Sequence, residues 1–243
     1  MEHALEIRGL CKSYGSFGIK DVSFALPKGK IMGFVGPNGA GKTTTIKSIL
    51  GMIKPDFGEV KIFGKCATSQ DNAEIGVVMD TPFYEEMWKI SDVKKAVKLF
   101  HKHFDGKKFD KYIEKFGIDI TKRVKDLSRG MGVKLMIAVA LSHDAKLLIL
   151  DEPTSGLDPV SRDELCDILL EYVSDRGGSV LFSTHITSDL EKIADYITCI
   201  IDGSIAFLGE KDSILKDFAE NEGLSNLEEI VVFAAKGKRV QNV

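Results

Sequence analysis

Residues 36–43 read Gly-Pro-Asn-Gly-Ala-Gly-Lys-Thr, a glycine-rich run with the spacing G-x-x-x-x-G-K-T. Backbone N–H groups can surround a phosphate only where no side chain intrudes, which is why glycines recur in such a loop. A lysine at position 42 can reach the β- and γ-phosphates of a nucleotide, and the hydroxyl of Thr43 can bind Mg²⁺. The stretch therefore predicts a phosphate-binding loop, whose contacting residues would be Gly36, Pro37, Asn38, Gly39, Ala40, Gly41, Lys42, Thr43 and Thr44.

The segments on either side of this loop have the pattern that a phosphate-binding loop requires. Residues 30–35 form a short apolar run typical of a buried strand, and residues 44–50 have helical character and end at Gly51. Such a helix directs the positive end of its dipole toward a bound phosphate. The alternative is a chance match in a glycine-rich turn, and the strand and helix flanks argue against it.

A second predicted strand carries two adjacent carboxylates at its end. Residues 147–150 are apolar and are followed by Asp151 and Glu152. A strand tip is a rigid mount, which suits groups that must be positioned for catalysis. We expect Asp151 to hold the hydration shell of Mg²⁺ and Glu152 to polarise an attacking water. Taken alone, the segment could also be an acidic turn after a core strand.

The composition fits a folded chain with no electrostatic preference for nucleic acid. The chain has 243 residues, of which 44% are hydrophobic, and its net charge is −3. That length suffices for one large domain or two lobes around a shared core, and the charge gives no case for a nucleic-acid binder. The four cysteines are widely spaced, so reduced thiols are expected. The N-terminus does not predict a secretory signal, and no apolar stretch approaches the ~20 residues that span a bilayer.

The hydrophobic periodicity changes twice along the chain. Residues 4–35 predict short strands and turns, residues 91–116 predict amphipathic helices, and strands alternate with helices again from residue 146 onward. A further helix is expected at about 129–142, and a possible strand at 228–234. On the first helical face we expect Val93, Ala96, Val97, Phe100 and Phe104. Surface positions are expected for His101, His103 and His143.

Residues 127–131, Leu-Ser-Arg-Gly-Met, place a serine and a glycine directly before a predicted helix. A hydroxyl, a glycine and a helix N-terminus together can bind a second phosphate. One phosphate-binding loop needs no second surface of this kind in its own chain, which suggests a site completed by another subunit. For this segment alone, an ordinary N-cap at Ser128 is the better explanation.

Taken together, the motifs resemble those of the ATP-binding cassette (ABC) family across nearly the full length of the chain. The order matches: a phosphate-binding loop at 36–43, a helical insert, a signature at 127–131 and a Walker B strand at 147–152. Residues 155–158 (Ser-Gly-Leu-Asp) resemble the family's D-loop, and residues 183–185 (Ser-Thr-His) resemble its switch.

The resemblance implies an α/β fold: a P-loop NTPase core with a mixed or parallel sheet, an N-terminal antiparallel β-subdomain and an inserted α-helical subdomain. Residues 1–80 and 144–220 would form the nucleotide-binding core with the β-subdomain. Residues 81–143 would form the helical subdomain, and residues 221–243 a C-terminal extension.

The resemblance also implies residue roles. Tyr14 would stack on adenine, whose flat π-face suits an aromatic ring, and His185 would sense the γ-phosphate. Ser128 and Gly130 would contact ATP bound to a second subunit in a head-to-tail dimer. The catalytic residues that the same resemblance implies are Lys42, Asp151, Glu152 and His185.

Two positions depart from the family pattern. Asp80 stands where the family has glutamine; its carboxylate can join Thr43 and Asp151 at Mg²⁺ or its water, or it can cap the following turn. Arg129 and Met131 replace the usual glycine and glutamine of the signature, and this variant resembles a subgroup of bacterial exporter-type cassettes.

The function implied by the resemblance is that of the ATP-hydrolysing subunit of a bacterial exporter-type transporter. Its cofactors would be ATP and Mg²⁺, and its partners integral membrane subunits and a second copy of itself or a related subunit, at the cytoplasmic face of the membrane. Aromatic residues at 82–88, ending in Trp88, would fill the core of the insert or form a groove for the membrane partner. The alternative is a soluble cassette ATPase that acts on ribosomes or nucleic acid. The single cassette, the absence of a heptad run and the net charge of −3 favour the transporter, without a nucleic-acid partner.

Overall fold

The computed structural model describes residues 2–66, 74–79 and 84–237. The strands are β1 (His3–Tyr14), β2 (Phe17–Pro27), β3 (Ile31–Val35), β4 (Phe57–Ile62), β5 (Lys65–Cys66), β6 (Ile75–Val78), β7 (Leu147–Asp151), β8 (Ser179–Thr184), β9 (Tyr196–Ile201) and β10 (Ser204–Glu210). The helices are α1 (Lys42–Ile49), α2 (Ile90–Phe100), α3 (Gly106–Lys115), α4 (Arg129–Ser142), α5 (Pro159–Arg176), α6 (Thr187–Ile193), α7 (Lys211–Glu222) and α8 (Leu227–Ala235). None of the helices in these ranges is long and apolar enough to cross a membrane.

The N-terminal strands form an antiparallel sheet with the order β2-β1-β4-β5. Strand β1 pairs with β2 on one side and with β4 on the other. Its buried residues, from Ala4 to Leu10, contribute to a cluster that also holds Ile46 of α1. This sheet is the predicted antiparallel β-subdomain, and it packs directly beside the phosphate-binding loop.

The second sheet has the order β10-β9-β3-β8-β7-β6. Its strands are parallel except β10, which runs antiparallel to β9. Strands β3, β7 and β8 are buried along their whole length, as expected for parallel strands covered on both faces. Val35 pairs with Thr184, and Asp151 pairs with Ser183, so the carboxyl ends of β3, β7 and β8 lie side by side.

The helical insert contains α2, α3 and α4. Helix α4 covers the predicted range 129–142 and, apart from Lys134, is buried from Gly132 to its end, because it packs against both α3 and β6. On the predicted apolar face of α2, Val93 and Val97 are buried, whereas the side chain of Phe100 is 83% exposed. Helix α2 ends at Phe100, where the backbone of His101 turns to an extended conformation.

Near the C-terminus, the predicted strand at 228–234 is wrong, because this segment lies in helix α8. Asn226 caps the helix by accepting a hydrogen bond from the backbone N–H of Glu229 at 2.9 Å. Leu227, Ile230 and Ala234 are buried at spacings of three and four residues, which is the period of a helix. Packing against α6 and β9 therefore overrides the strand preference of the β-branched run.

The surface position expected for His143 is also wrong. Its side chain is 5% exposed, and its ring stacks on that of His101 with 4.4 Å between ring centroids. His143 Nε2 lies 3.2 Å from the carbonyl oxygen of Ile75, at the start of β6. His101 is half-buried and His103 is exposed.

The cysteines are free, as predicted. Burial raises the pKa of Cys166 to about 11 and that of Cys199 to about 12. Both thiols therefore stay protonated and unreactive near neutral pH.

Candidate functional site

The loop at 36–43 connects β3 to α1, and its glycines meet specific steric demands. A Cβ atom at Gly36 would lie 2.1 Å from the carbonyl oxygen of Ile200 in β9. Gly41 caps α1 with φ +114°, and a Cβ there would lie 2.7 Å from Ile19. Because β9 and β2 press on the loop from outside, only glycine fits at these two positions.

The side chain of Lys42 is buried inside the loop. Its Nζ donates to the carbonyl oxygen of Gly36 at 2.7 Å and to that of Pro37 at 3.2 Å. The same ammonium lies 3.1 Å from Glu152 Oε1. A buried ammonium needs such partners to remain charged, so the loop and Glu152 together hold Lys42 at the carboxyl edge of the sheet.

Glu152 follows the last residue of β7 and has an unusual backbone conformation, with φ +50°. Its backbone N–H donates to the carbonyl oxygen of Ser183 at 3.1 Å. Its Oε2 lies 2.8 Å from His185 Nδ1. A positive φ costs a residue other than glycine about 1–3 kcal/mol and is tolerated where the surroundings hold it in place. Here β8 supplies that support and directs the carboxylate between Lys42 and His185.

Lys42, Glu152 and His185 thus form one connected set. The sequence predicted them from three separate motifs, and the parallel order β3-β8-β7 brings them together. Ser183 joins the set through a hydrogen bond from its Oγ to Asp151 Oδ1 at 2.7 Å. Sequence analysis missed this positioning role of Ser183, although a hydroxyl at the end of a strand beside β7 was the available signal.

The residues proposed for Mg²⁺ fit that ion by the chemistry of their donors. Thr43 offers an exposed hydroxyl at the start of α1, and Asp151 offers a buried carboxylate at the end of β7. Both are hard oxygen donors, and Mg²⁺ in nucleotide sites takes one or two such protein ligands and completes its shell with phosphates and water. A cluster of three or more His, Cys, Asp or Glu side chains does not occur in the described ranges, and this chemistry does not require one. Asp80 lies outside the described residues, so its role stays a prediction.

The signature residues lie at the N-terminus of α4. Ser128 Oγ accepts a hydrogen bond from the backbone N–H of Met131 at 3.3 Å, so it is the N-cap that the simpler interpretation expected. A Cβ at Gly130 would lie 3.4 Å from Ser161 Oγ, and the Arg129 side chain lies against Gly156. These contacts connect the signature to the 155–161 segment of the same chain.

Tyr14 ends β1 and pairs with Phe17 across the β1–β2 turn. Its ring is half-exposed, and Lys12 Nζ lies 5.8 Å from the ring centroid. The turn borders a surface cleft that reaches Gly39 of the phosphate-binding loop, and Phe17 and Phe57 line this cleft. Sequence analysis missed both phenylalanines, because nothing local distinguishes an aromatic side chain at a cleft from one in the core.

Residues 19–155 match the family model described as ABC transporter. The chain belongs to the ABC transporter family. It is 36% identical over 214 residues to the uncharacterized ABC transporter ATP-binding protein YhcH of Bacillus subtilis (strain 168), across 84% of this chain and 69% of that protein. It is 35% identical over 230 residues to the lantibiotic transport ATP-binding protein SrtF of Streptococcus pyogenes, across 93% and 95% of the two chains.

A solved structure of the ATP binding subunit of an ABC transporter has the same fold, with a TM-score of 0.84 at 26% identity over 95% of this chain and 99% of that one. The predicted fold class is therefore confirmed. As a member of the ABC transporter family, the protein binds and hydrolyses ATP as a nucleotide-binding subunit.

On the helical insert of this ABC subunit, an apolar groove lies between α2, α4 and β6. Trp88, the only tryptophan, borders the groove and is 41% exposed. The groove is further lined by Ile75, Val77, Tyr84, Ala96, Val97, Phe100, His101, Met136, Val139, Ala140 and His143. Within the aromatic segment at 82–88, the exposure of Trp88 fits the groove, whereas Tyr84 packs against the core, and residues 82 and 83 lie outside the described residues.

Proposed function

We propose that this subunit binds two ATP molecules in a head-to-tail dimer, with a second copy of itself or with a related subunit, and powers a separate membrane-spanning exporter. The observation that carries the proposal is the connected set of Lys42, Glu152 and His185, which places a phosphate-binding cation beside a carboxylate and a histidine. Hydrolysis of a phosphoanhydride is promoted by a cation at the phosphates and by a carboxylate that can accept a proton from the attacking water.

In the proposed mechanism, residues 36–44 hold the phosphates and Tyr14 stacks on the base. Thr43 and Asp151 would hold Mg²⁺, with Asp80 as a further candidate ligand, and this position would supply positive charge beside the phosphates. Glu152 accepts a proton from the attacking water. His185 contacts the γ-phosphate and, through its Nδ1, orients the Glu152 carboxylate.

The second half of each ATP site comes from the other subunit. Ser128 and Gly130 lie at the N-terminus of α4, where the helix dipole favours an anion. Dimer closure would bring this helix end onto the γ-phosphate held by the opposite loop. ATP then favours the closed dimer, and hydrolysis releases it.

The apolar groove beside Trp88 is the proposed docking place for the membrane partner. Its lining is mostly apolar, comes from the helical insert and from β6, and includes no residue of the loop at 36–43. A short amphipathic segment exposed at the cytoplasmic end of a membrane subunit matches such a groove. The name of the relative SrtF, a transport ATP-binding protein, supports a transport partner, and the Leu-Ser-Arg-Gly-Met signature supports the exporter type.

Co-purification tests this proposal. The tagged Glu152→Gln protein would be expressed in its native cell, the membranes solubilised gently in the presence of ATP, and the bound proteins identified. We expect a multi-span membrane protein to be recovered. Reproducible recovery of ribosomes or soluble partners alone, or a salt-sensitive affinity for nucleic acid, would instead favour the soluble cassette ATPase.

A matched pair of surface variants tests the docking place. Trp88→Glu puts a charge into the groove and should lose the membrane partner while keeping ATP binding. Leu208→Glu changes a similarly exposed apolar residue on β10 and should keep the partner. Retention of the partner by both variants would place the docking surface elsewhere.

A further inference from the structure

A buried ion pair joins helix α5 to helix α6. Arg162 Nε donates to Asp189 Oδ1 at 3.2 Å, and Arg162 Nη2 donates to Ser188 Oγ at 3.1 Å. The Asp189 side chain is 7% exposed, and its Oδ2 is buried without a hydrogen-bond partner among the described residues. A buried carboxylate in this situation depends on the cation that contacts it. Arg162 therefore holds Asp189, and with it the first turn of α6.

The Asp189 end of this pair lies four residues after His185 in the chain. Helix α6 begins at Thr187, only two residues after His185, and Asp189 is in its first turn. The backbone N–H of Ile186 donates to Thr184 Oγ1 at 2.9 Å, which closes the turn that carries His185. No side chain caps the N-terminus of α6. The contacts of Arg162 with Asp189 and Ser188 therefore anchor this turn to α5.

The Arg162 end of the pair lies next to the signature. Arg162 is in the first turn of α5, where its backbone N–H donates to the carbonyl oxygen of Asp158 at 3.0 Å. Asp158 caps α5 and accepts a hydrogen bond from Ser161 Oγ at 2.6 Å. A Cβ atom added at Gly130 would lie 3.4 Å from the same Ser161 Oγ. The first turn of α5 thus lies between the signature glycine and the Arg162–Asp189 pair.

We propose that Arg162 and Asp189 are positioning residues that make the placement of His185 depend on the signature of the same subunit. This inference rests on the proposed function, in which the signature contacts ATP held by the other subunit and His185 contacts ATP held by its own. The pair then connects the two ATP sites of a dimer within each subunit. Engagement of the signature moves the first turn of α5, and Arg162 carries that movement to the segment of His185.

The test removes the pair without leaving a buried charge. Because loss of Arg162 alone would leave Asp189 uncompensated, the variant is Arg162→Met/Asp189→Leu, which replaces both charges by apolar groups of similar volume. We expect ATP affinity of the isolated subunit within about twofold of the unmodified protein, with kcat lowered about tenfold or more and KM for ATP little changed. Normal kcat in the folded variant would overturn the proposal.

Lys192 supplies the matched control. It connects the same two helices at the surface, through Asp163 at 2.6 Å and Asp167 at 2.8 Å. Lys192→Met removes this exposed connection and leaves the buried one, so kcat should stay within about twofold. An equal loss of kcat in both variants would mean that helix packing in general, and not the Arg162–Asp189 pair, sets the rate.

A double-mutant cycle with His185→Ala separates positioning from a merely structural role. If the pair acts through His185, its removal should not lower the residual single-turnover rate of the His185→Ala protein further. Full additivity would overturn the proposal. If His185→Ala alone hydrolyses ATP normally, both the role proposed for His185 and this inference fail. If His185→Ala loses ATP hydrolysis but Arg162→Met/Asp189→Leu hydrolyses ATP normally, this inference fails and the proposed function stands.

A second variant covers failure of the paired substitution to fold. Arg162→Lys keeps the positive charge beside Asp189 but loses the planar fork that reaches Ser188 at the same time. Its kcat should fall below that of the unmodified protein, with ATP affinity little changed. A kcat equal to that of the unmodified protein would again contradict the proposal.

Discussion

The ammonium group of Lys42 lies 3.1 Å from Glu152 Oε1, so the cation proposed to hold phosphate and the carboxylate proposed to activate water contact each other directly. The contact joins the loop after β3 to the end of β7, across the intervening strand β8. It is largely shielded from solvent, since both side chains are mostly buried. Any change to one of these two groups therefore alters the electrostatic environment of the other.

Glu152→Gln should separate ATP binding from hydrolysis. The amide cannot accept a proton from water, and removal of a general base typically lowers the rate about 10²- to 10⁴-fold. The amide also removes the negative charge beside Lys42, so ATP should bind at least as tightly as before. Phosphate release and nucleotide affinity measure the two effects, and light scattering should detect a dimer trapped by ATP. Glu220→Gln, an exposed change on α7, is the control; normal hydrolysis in Glu152→Gln would remove Glu152 from its role.

Lys42→Ala should abolish detectable ATP binding. The variant loses the cation that the loop surrounds, and it leaves the carboxylate of Glu152 facing the phosphate position without a counter-charge. Equilibrium binding of ATP measures the effect. Lys47→Ala, one turn later on the same helix, removes an equal charge outside the loop and should bind normally. Tight binding by Lys42→Ala would contradict the assignment of the loop.

Gly36→Ala should destabilise the fold as well as weaken ATP binding. The added methyl group would lie 2.1 Å from the carbonyl oxygen of Ile200, so β9 or the loop must shift. Overpacking of this kind costs about 1–3 kcal/mol, which urea unfolding can resolve. In Gly209→Ala the methyl group would meet only ordinary contacts with Ile214 at 3.5 Å, so that variant should be close to neutral. An equal free energy of unfolding in the two variants would show that the fold accommodates a methyl group beside Ile200 without losing stability.

Acidification should weaken the fold through His143 and His101. Burial lowers the pKa of His143 below its ordinary value of 6.5, with a smaller effect from His101, and burial also lowers the pKa of His101. The unfolded chain therefore binds these protons more readily than the folded chain. Their contribution to stability is complete above about pH 6.5 and declines as the pH falls through that value toward the lower pKa of the folded state.

Urea unfolding between about pH 7.5 and 5 measures this dependence. That range lies above the one in which carboxylates such as Asp158 respond, since the hydrogen bond from Ser161 lowers the pKa of Asp158 from 3.8. His101→Gln/His143→Gln should flatten the profile, and His103→Gln, an exposed change, should leave it as it was. A stability that rises on acidification would contradict the direction of both shifts.

Much of the fold could be predicted from local patterns. The strand–loop–helix at 30–50 and the extent of α4 are confirmed. Both could be predicted because the spacing of apolar residues and the positions of glycines are visible within a short stretch of the chain. The apolar run of α8 suits a strand as well as a helix, and packing against α6 and β9 decides for the helix. The prediction for His143 fails for a related reason. A polar side chain favours a surface position, and only the contact with β6 shows that this one is buried.

Local sequence patterns specify which chemical groups this protein carries: a glycine loop with Lys42, a strand ending in Asp151 and Glu152, and a histidine after another strand. The three-dimensional fold is what brings Lys42, Glu152 and His185 into contact and pairs Arg162 with Asp189. The reason is the range of the interactions. Glycine geometry and strand period act between neighbours in the chain, whereas the order β3-β8-β7 and the packing of α5 on α6 join residues far apart in sequence.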